Sequence, residues 1–375
     1  MKFNKWTLGL AAVGAVSLAS TVRADEMKAL NTAISNTTIS GYVDVAAQYN
    51  PGNPGNTAAV AQPAFLNNGK VDSFSLNAVV ISLDKALDES PWAAGYHIDL
   101  NWGTDAVNVS GPVRQAYVTM RTPLGNGIDW KIGAIDGVTG YESNTGWANP
   151  NYTRSYGYQV NPASFVGLIG SYKICNEVTV QSGIANRGGT FGGGSTLFLG
   201  QGVVGLSSKD FIATVALTAP DSWGFLKGSV LNAGMFQGLD NGAVNNYSVN
   251  ATFCTPLEGL KVGAAFDTVQ SLTAVGDSLN GNIYGAYVTY KATDKLGMSL
   301  RGEYLDGKDV NDAYGTNRGM GEEITATVQY DLWANVVSRL EFRWDHIESS
   351  NYAYQYNANN TENAFLLALN VVYKF

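Results

Sequence analysis

The sequence predicts an all-β fold, a transmembrane antiparallel β-barrel of about 16 strands around a water-filled lumen, and three observations predict it. Apolar and polar residues alternate with period two in one segment after another. The links between those segments alternate between short and long, as periplasmic turns and extracellular loops do in such barrels. Most tellingly, Arg339, Glu341, Arg343 and Asp345 line one face of a strand whose other face carries Leu340, Phe342 and Trp344. Burying four successive charges in a dry core would carry a severe desolvation cost, which a wet interior removes.

Composition agrees. Only 14% of residues are charged, while Gly (43) and Tyr (20) are abundant, a balance that suits a sheet-built wall better than a helical core. The formal net charge of −8, without a basic stripe, excludes nucleic acid as a partner. Lys2 and Lys5 precede an uncharged stretch from Trp6 to Ser20, and Val22-Arg23-Ala24 offers a cleavage site. Residues 1–24 therefore read as a signal peptide, 25–38 as a periplasmic lead-in and 39–375 as one barrel domain. Beyond residue 24 there is no run of about 18 apolar residues, so no transmembrane helix is expected.

Taken in order, the strands are expected near 39–49, 71–83, 92–102, 112–122, 128–138, 163–174, 177–186 and 209–219. The rest fall near 227–237, 244–254, 259–270, 281–292, 295–305, 320–331, 335–347 and 364–375. In the third, Trp92, Ala94, Tyr96, Ile98, Leu100 and Trp102 alternate with Ala93, Gly95, His97, Asp99 and Asn101. Tyr247, Val249, Ala251 and Phe253 alternate with Ser248, Asn250 and Thr252 in the same way, and Leu260, Val262 and Phe266 alternate with Lys261, Gly263 and Asp267. Short links such as Thr255–Gly259, Thr293–Lys295 and Asp331–Asn335 alternate with long ones, Ser271–Asn280, Asp306–Arg318 and Glu348–Asn363. Residues 187–208 read as a long loop, because one more strand there would put every later short turn on the wrong side. The last strand places Phe365, Leu367, Leu369, Val371, Tyr373 and Phe375 on one face and ends on the aromatic, which resembles the assembly signal of outer-membrane barrels.

Other motifs carry little. Gly200-Gln201-Gly202-Val203-Val204-Gly205 has dinucleotide-binding spacing but no helical pattern after it. Cys175 and Cys254 could pair in an oxidising compartment or stay free. His97 and His346 have no neighbours at metal-ligand spacing, and no cofactor is expected.

One stretch is more specific. Arg114-Gln115-Ala116-Tyr117-Val118 is followed by Lys131-Ile132-Gly133, Gly140-Tyr141-Glu142, Asn151-Tyr152-Thr153-Arg154-Ser155-Tyr156 and Asn161-Pro162. This run resembles the OmpL-like β-barrel porin family. The resemblance implies an outer-membrane channel, not an enzyme, that passes small hydrophilic solutes and ions by diffusion. It also implies outer-membrane lipid and the barrel-assembly machinery as partners, and trimers are common among similar porins.

In porins of sixteen strands the loop after the fifth folds inward, which makes Thr139–Asn161 the leading candidate site. Glu142 and Arg154, with Asn149 and Asn151, would line a constriction whose transverse field selects solutes. The alternative is an ordinary loop with solvated charges. The expected lumen lining is Asp44, Asp99, Lys131, Lys261, Asp267, Arg301, Glu303, Glu323, Arg339, Glu341, Arg343 and Asp345. The acidic excess implies a mild cation preference. Three other readings stay open. A substrate-specific channel for sugars or peptides would carry an aromatic track, with Tyr42, Tyr117 and Tyr287 as rungs; a barrel enzyme would depend on His97 or His346; an adhesin would have a plugged lumen.

Overall fold

The computed structural model describes residues 36–51, 70, 72–88, 90–186, 190–191, 209–239, 244–272, 278–308, 318–349 and 362–375. The signal peptide, most of the lead-in and the Gly200–Gly205 motif lie outside the described residues. The wall consists of β1 (Thr38–Tyr49), β2 (Ser73–Lys85), β3 (Ala94–Trp102), β4 (Val113–Thr122), β5 (Ile128–Asp136), β6 (Pro162–Lys173), β7 (Val178–Asn186) and β8 (Lys209–Thr218). It continues through β9 (Val230–Gly238), β10 (Val244–Cys254), β11 (Leu260–Leu272), β12 (Ser278–Lys291), β13 (Leu296–Lys308), β14 (Arg318–Trp333), β15 (Val336–Ser349) and β16 (Asn363–Lys374).

Each strand pairs antiparallel with the next, and β16 pairs with β1, so that Val43 faces Tyr373 and Tyr49 faces Leu367. Mutual backbone hydrogen bonds of 3.0 Å between Gly41 and Phe375 complete the seam. Closure leaves no unpaired sheet edge, which a bilayer would not tolerate. Thr190–Phe191 adds a two-residue pairing beside the start of β6. The ninth strand starts later than its sequence pattern suggests, because Asp221–Leu226 coils into a 3-10 turn before it.

Alternation sorts the side chains as expected on β15 and β16. Leu340, Phe342, Leu367 and Leu369 are exposed on the outside, whereas Arg339, Glu341, Arg343 and Asn370 are buried inside. Two places break the pattern. Between β3 and β4, Asp99 faces Gln115 while Leu100 faces Val113, so Arg114 is an extra residue in a β-bulge. The bulge lets both Arg114 and Gln115 reach the interior, which parity alone forbids. On β5 to β9 the inner face carries an apolar patch: Ile135, Phe165, Ile169, Ala185, Ile212 and Phe236 form one buried cluster. Phe165 and Phe236 meet edge to face with centroids 5.4 Å apart.

Gly133 shows how close the wall packs. Its φ is +137°, and a Cβ there would lie 2.2 Å from the Ala116 carbonyl oxygen and 2.8 Å from the Tyr117 Cα. Gly133→Val should therefore lower the unfolding free energy by about 2–4 kcal/mol, from backbone strain plus overpacking. Urea titration in detergent would show it as a lower midpoint; an unchanged midpoint would mean that β4 and β5 can part locally at little cost.

Candidate functional site, a loop docked inside the barrel

The link between β5 and β6 does not stand on the rim. It runs into the lumen and binds the inner faces of strands that lie far away in sequence. Its last third does this through backbone N–H groups held by wall carboxylates. Glu341 on β15 accepts from Tyr152 N at 2.5 Å and Thr153 N at 2.8 Å. Glu303 on β13 accepts from Tyr156 N and, at 3.2 Å, from Gly157 N. Asp267 on β11 accepts from Asn161 Nδ2 at 2.7 Å. Three acids, on β11, β13 and β15, thus hold the strip against the wall at separate points along its length.

The loop's own fold meets this clamp. Ser155 caps a one-turn helix, α1 (Tyr156–Val160), by accepting from Tyr158 N at 2.9 Å. Asn149 braces an internal turn, accepting from Ser143 N at 2.9 Å and donating to Ser143 O at 2.8 Å. Burial raises the pKa of the Tyr152 and Tyr158 phenols above the ordinary range, Tyr152 strongly, so both act as neutral hydrogen-bonding groups.

Two arginines join the wall to the loop. Arg301 on β13 pairs with Glu142 of the loop at 2.6 Å and with Glu323 on β14 at 2.7 Å, all three fully buried. It also donates to Thr153 O at 2.8 Å. Arg343 on β15 pairs with Asp345 at 2.8 Å and donates to Arg154 O at 2.6 Å.

The family model described as "Putative beta-barrel porin-2, OmpL-like" matches residues 36–375. The chain belongs to this porin family. Solved structures agree on the fold. The anion-selective porin from Comamonas acidovorans is 11% identical, with a TM-score of 0.61 over 90% of this chain and 99% of that one. The outer-membrane channel DcaP of Acinetobacter baumannii is also 11% identical, with a TM-score of 0.58 over 90% and 97%. OmpT of Vibrio cholerae is 10% identical, with a TM-score of 0.56 over 90% and 97%. Among curated protein sequences, none matches the chain.

Within this porin, the residues expected to form a site divide into separate groups. Glu142 does not face Arg154 across an opening, as its sequence position suggested. It is drawn under the loop by Arg301, whose charge it neutralises. Asn151 is likewise turned to the wall, donating to Thr327 at 2.7 Å. Arg154 remains half-buried on the other edge, over the Tyr158 ring and donating to Asn144 O at 2.7 Å. Of the expected lining, Arg301, Glu303, Glu323, Glu341, Arg343 and Asp345 are packed beneath the loop and not against open water. Asp44 is held by Asn77 and Asn370 at 2.7 and 2.6 Å. Asp99 and Asp84 bracket His97 at 3.1 and 2.9 Å. Lys131 lies 4.8 Å from the Tyr117 centroid, and Lys261 is exposed near the start of β11.

The structure adds participants that alternation hid. Arg114, freed by the bulge, pairs with Asp136 and donates to Thr145 at 2.9 Å. Trp147 inserts beside Tyr42, Ala78, Val80 and Val372, and Lys374 stands 4.3 Å from its ring centroid. Tyr42 and Tyr287 form no exposed track, since Trp147 packs on the first and Tyr141 stacks on the second at 3.8 Å. Cys175 and Cys254 are free.

Proposed function

We propose that this porin is a passive channel for small hydrophilic solutes and ions, exported by cleavage of residues 1–24 and seated in the outer membrane. The observation that carries the reading is the docked loop: it narrows a closed barrel while polar groups opposite it, His97, Gln115, Tyr117 and Lys131, stay half-exposed. A bore of sixteen strands is wide enough for water, and an inward loop sets its size limit. Lipid around the wall, the assembly machinery at the last strand and a homotrimer belong to the same proposal. The neighbour from Comamonas acidovorans is an anion-selective porin, so this fold is compatible with charge selection.

An enzyme reading is less well supported: among the described residues, the Ser82, Asp99 and His97 cluster has the wrong order for it. Ser82 donates to Asp99 at 2.5 Å, and Asp99 lies against His97. A hydrolase needs the histidine next to the serine and the acid behind it, and here the acid is in the middle. Single-channel recording of the purified, refolded protein in a planar bilayer is the test. Stable ohmic steps are expected; silence from a verified folded barrel would defeat the proposal.

A further inference from the structure

The docked loop sorts the charges of the lumen. The acids Glu142, Glu303, Glu323, Glu341 and Asp345 lie on its wall side, occupied by Arg301, Arg343 and backbone N–H groups. Its other edge, the turn at Gly146 and Trp147, is ringed by cations. Arg339 donates to Gly146 O at 3.2 Å, and Arg154 Nη2 is 3.5 Å from where a Cβ on Gly146 would sit. The Lys374 ammonium stands over the Trp147 ring. Among the described residues, none of these three has a carboxylate at ion-pair distance. Asp44 comes near, 3.7 Å from the same Cβ position, but two amides already hold it; Glu341, the other acid close to Arg339, is taken by the N–H groups of Tyr152 and Thr153.

These cations also have donors to spare. Arg339 is 1% exposed, yet its Nε and Nη2 have no hydrogen-bond partner, and neither has Nη1 of Arg154. Buried donors of a guanidinium are costly to leave unpaired, and an oxyanion supplies acceptors in the planar geometry that arginine matches best.

We propose that the Gly146–Trp147 turn is an oxyanion-binding step of the channel, which takes small carboxylates or inorganic phosphate and makes the pore anion-selective. This rests on the channel reading above. It reverses the cation preference that the chain's net charge of −8 implies, because the field at the narrowest point, and not the total charge, governs permeation.

The test uses the full-length protein in a planar bilayer under a KCl gradient. Chloride should permeate about threefold or more faster than potassium, and added inorganic phosphate should lower the chloride current. Arg154→Gln and Lys374→Gln, each verified as folded, should bring the ratio towards one. Lys227→Gln, on an exposed turn where Lys227 pairs with Asp221 at 3.0 Å, should leave it alone. Potassium preference in the unaltered protein, or a ratio unmoved by both lumen variants, would overturn the oxyanion step while the ohmic steps kept the channel reading intact. Absence of any steps would overturn both.

Discussion

Arg301→Ala is expected to cost the barrel about 3–5 kcal/mol of unfolding free energy, the usual penalty for removing one member of a buried ion pair. Arg301 meets Glu142 at 2.6 Å, Glu323 at 2.7 Å, Thr153 O at 2.8 Å and Thr325 at 3.2 Å, and its side chain is fully buried. The alanine variant leaves buried Glu142 without its cation and Glu323 with Arg343 alone, 3.7 Å away, and that uncompensated charge in a dry surrounding is the source of the loss. Arg301→Lys should recover only part, since an ammonium is a point charge and cannot span both acids as the planar fork does. Combining Arg301→Met with Glu142→Gln and Glu323→Gln removes all three charges and should sit well above the single alanine variant. Guanidinium titration in detergent would rank the four proteins. An alanine midpoint equal to that of the unaltered protein would mean a hydrated network, worth no more than a surface pair of about 0–1 kcal/mol.

Replacing Asn144–Pro150 with Gly-Gly-Ser should raise single-channel conductance about twofold or more, because the turn that crosses the bore is removed. The replaced stretch includes Trp147, which packs against Tyr42 and Val372, and Thr145, which receives Arg114. The clamp at residues 151–157 stays in place, while the variant gives up the Asn144 contacts to Tyr158 and Ala163. Conductance unchanged in such a variant would put the narrowest point elsewhere, against the apolar patch inside β5 to β9.

How much of this was legible depended on how local the cause was. The alternation of Leu340, Phe342 and Trp344 with Arg339, Glu341 and Arg343 is a two-residue rule, and it placed those charges on the inner face. Whether that face is wet or dry is not a local matter. Glu341 is dry because Tyr152, 189 positions earlier, lies on it. No residue type announces this contact, since the loop contributes backbone N–H groups that every residue but proline possesses. Arg114 had a different cause: it is the extra residue of a bulge, which no two-residue rule locates. Ile135, Phe165 and Ile212 fell to a third, because a strand apolar on both faces shows no period two at all. Glu142 was identified as important in the right loop, yet a single sequence could not tell a carboxylate facing solute from one facing Arg301.

The partners that clamp the loop's second half come after it in the chain, by 106 residues for Asp267 and 189 for Glu341. Such contacts are slow to form, since long segments must be closed before they are rewarded. The wall that carries those partners has to be built first, strand by strand, before the loop has anything to hold. Docking of the loop's second half is therefore expected to be a late step of assembly. A barrel closed before residues 139–161 settle would have the wider bore, and the rate of that last docking would set how long it lasted.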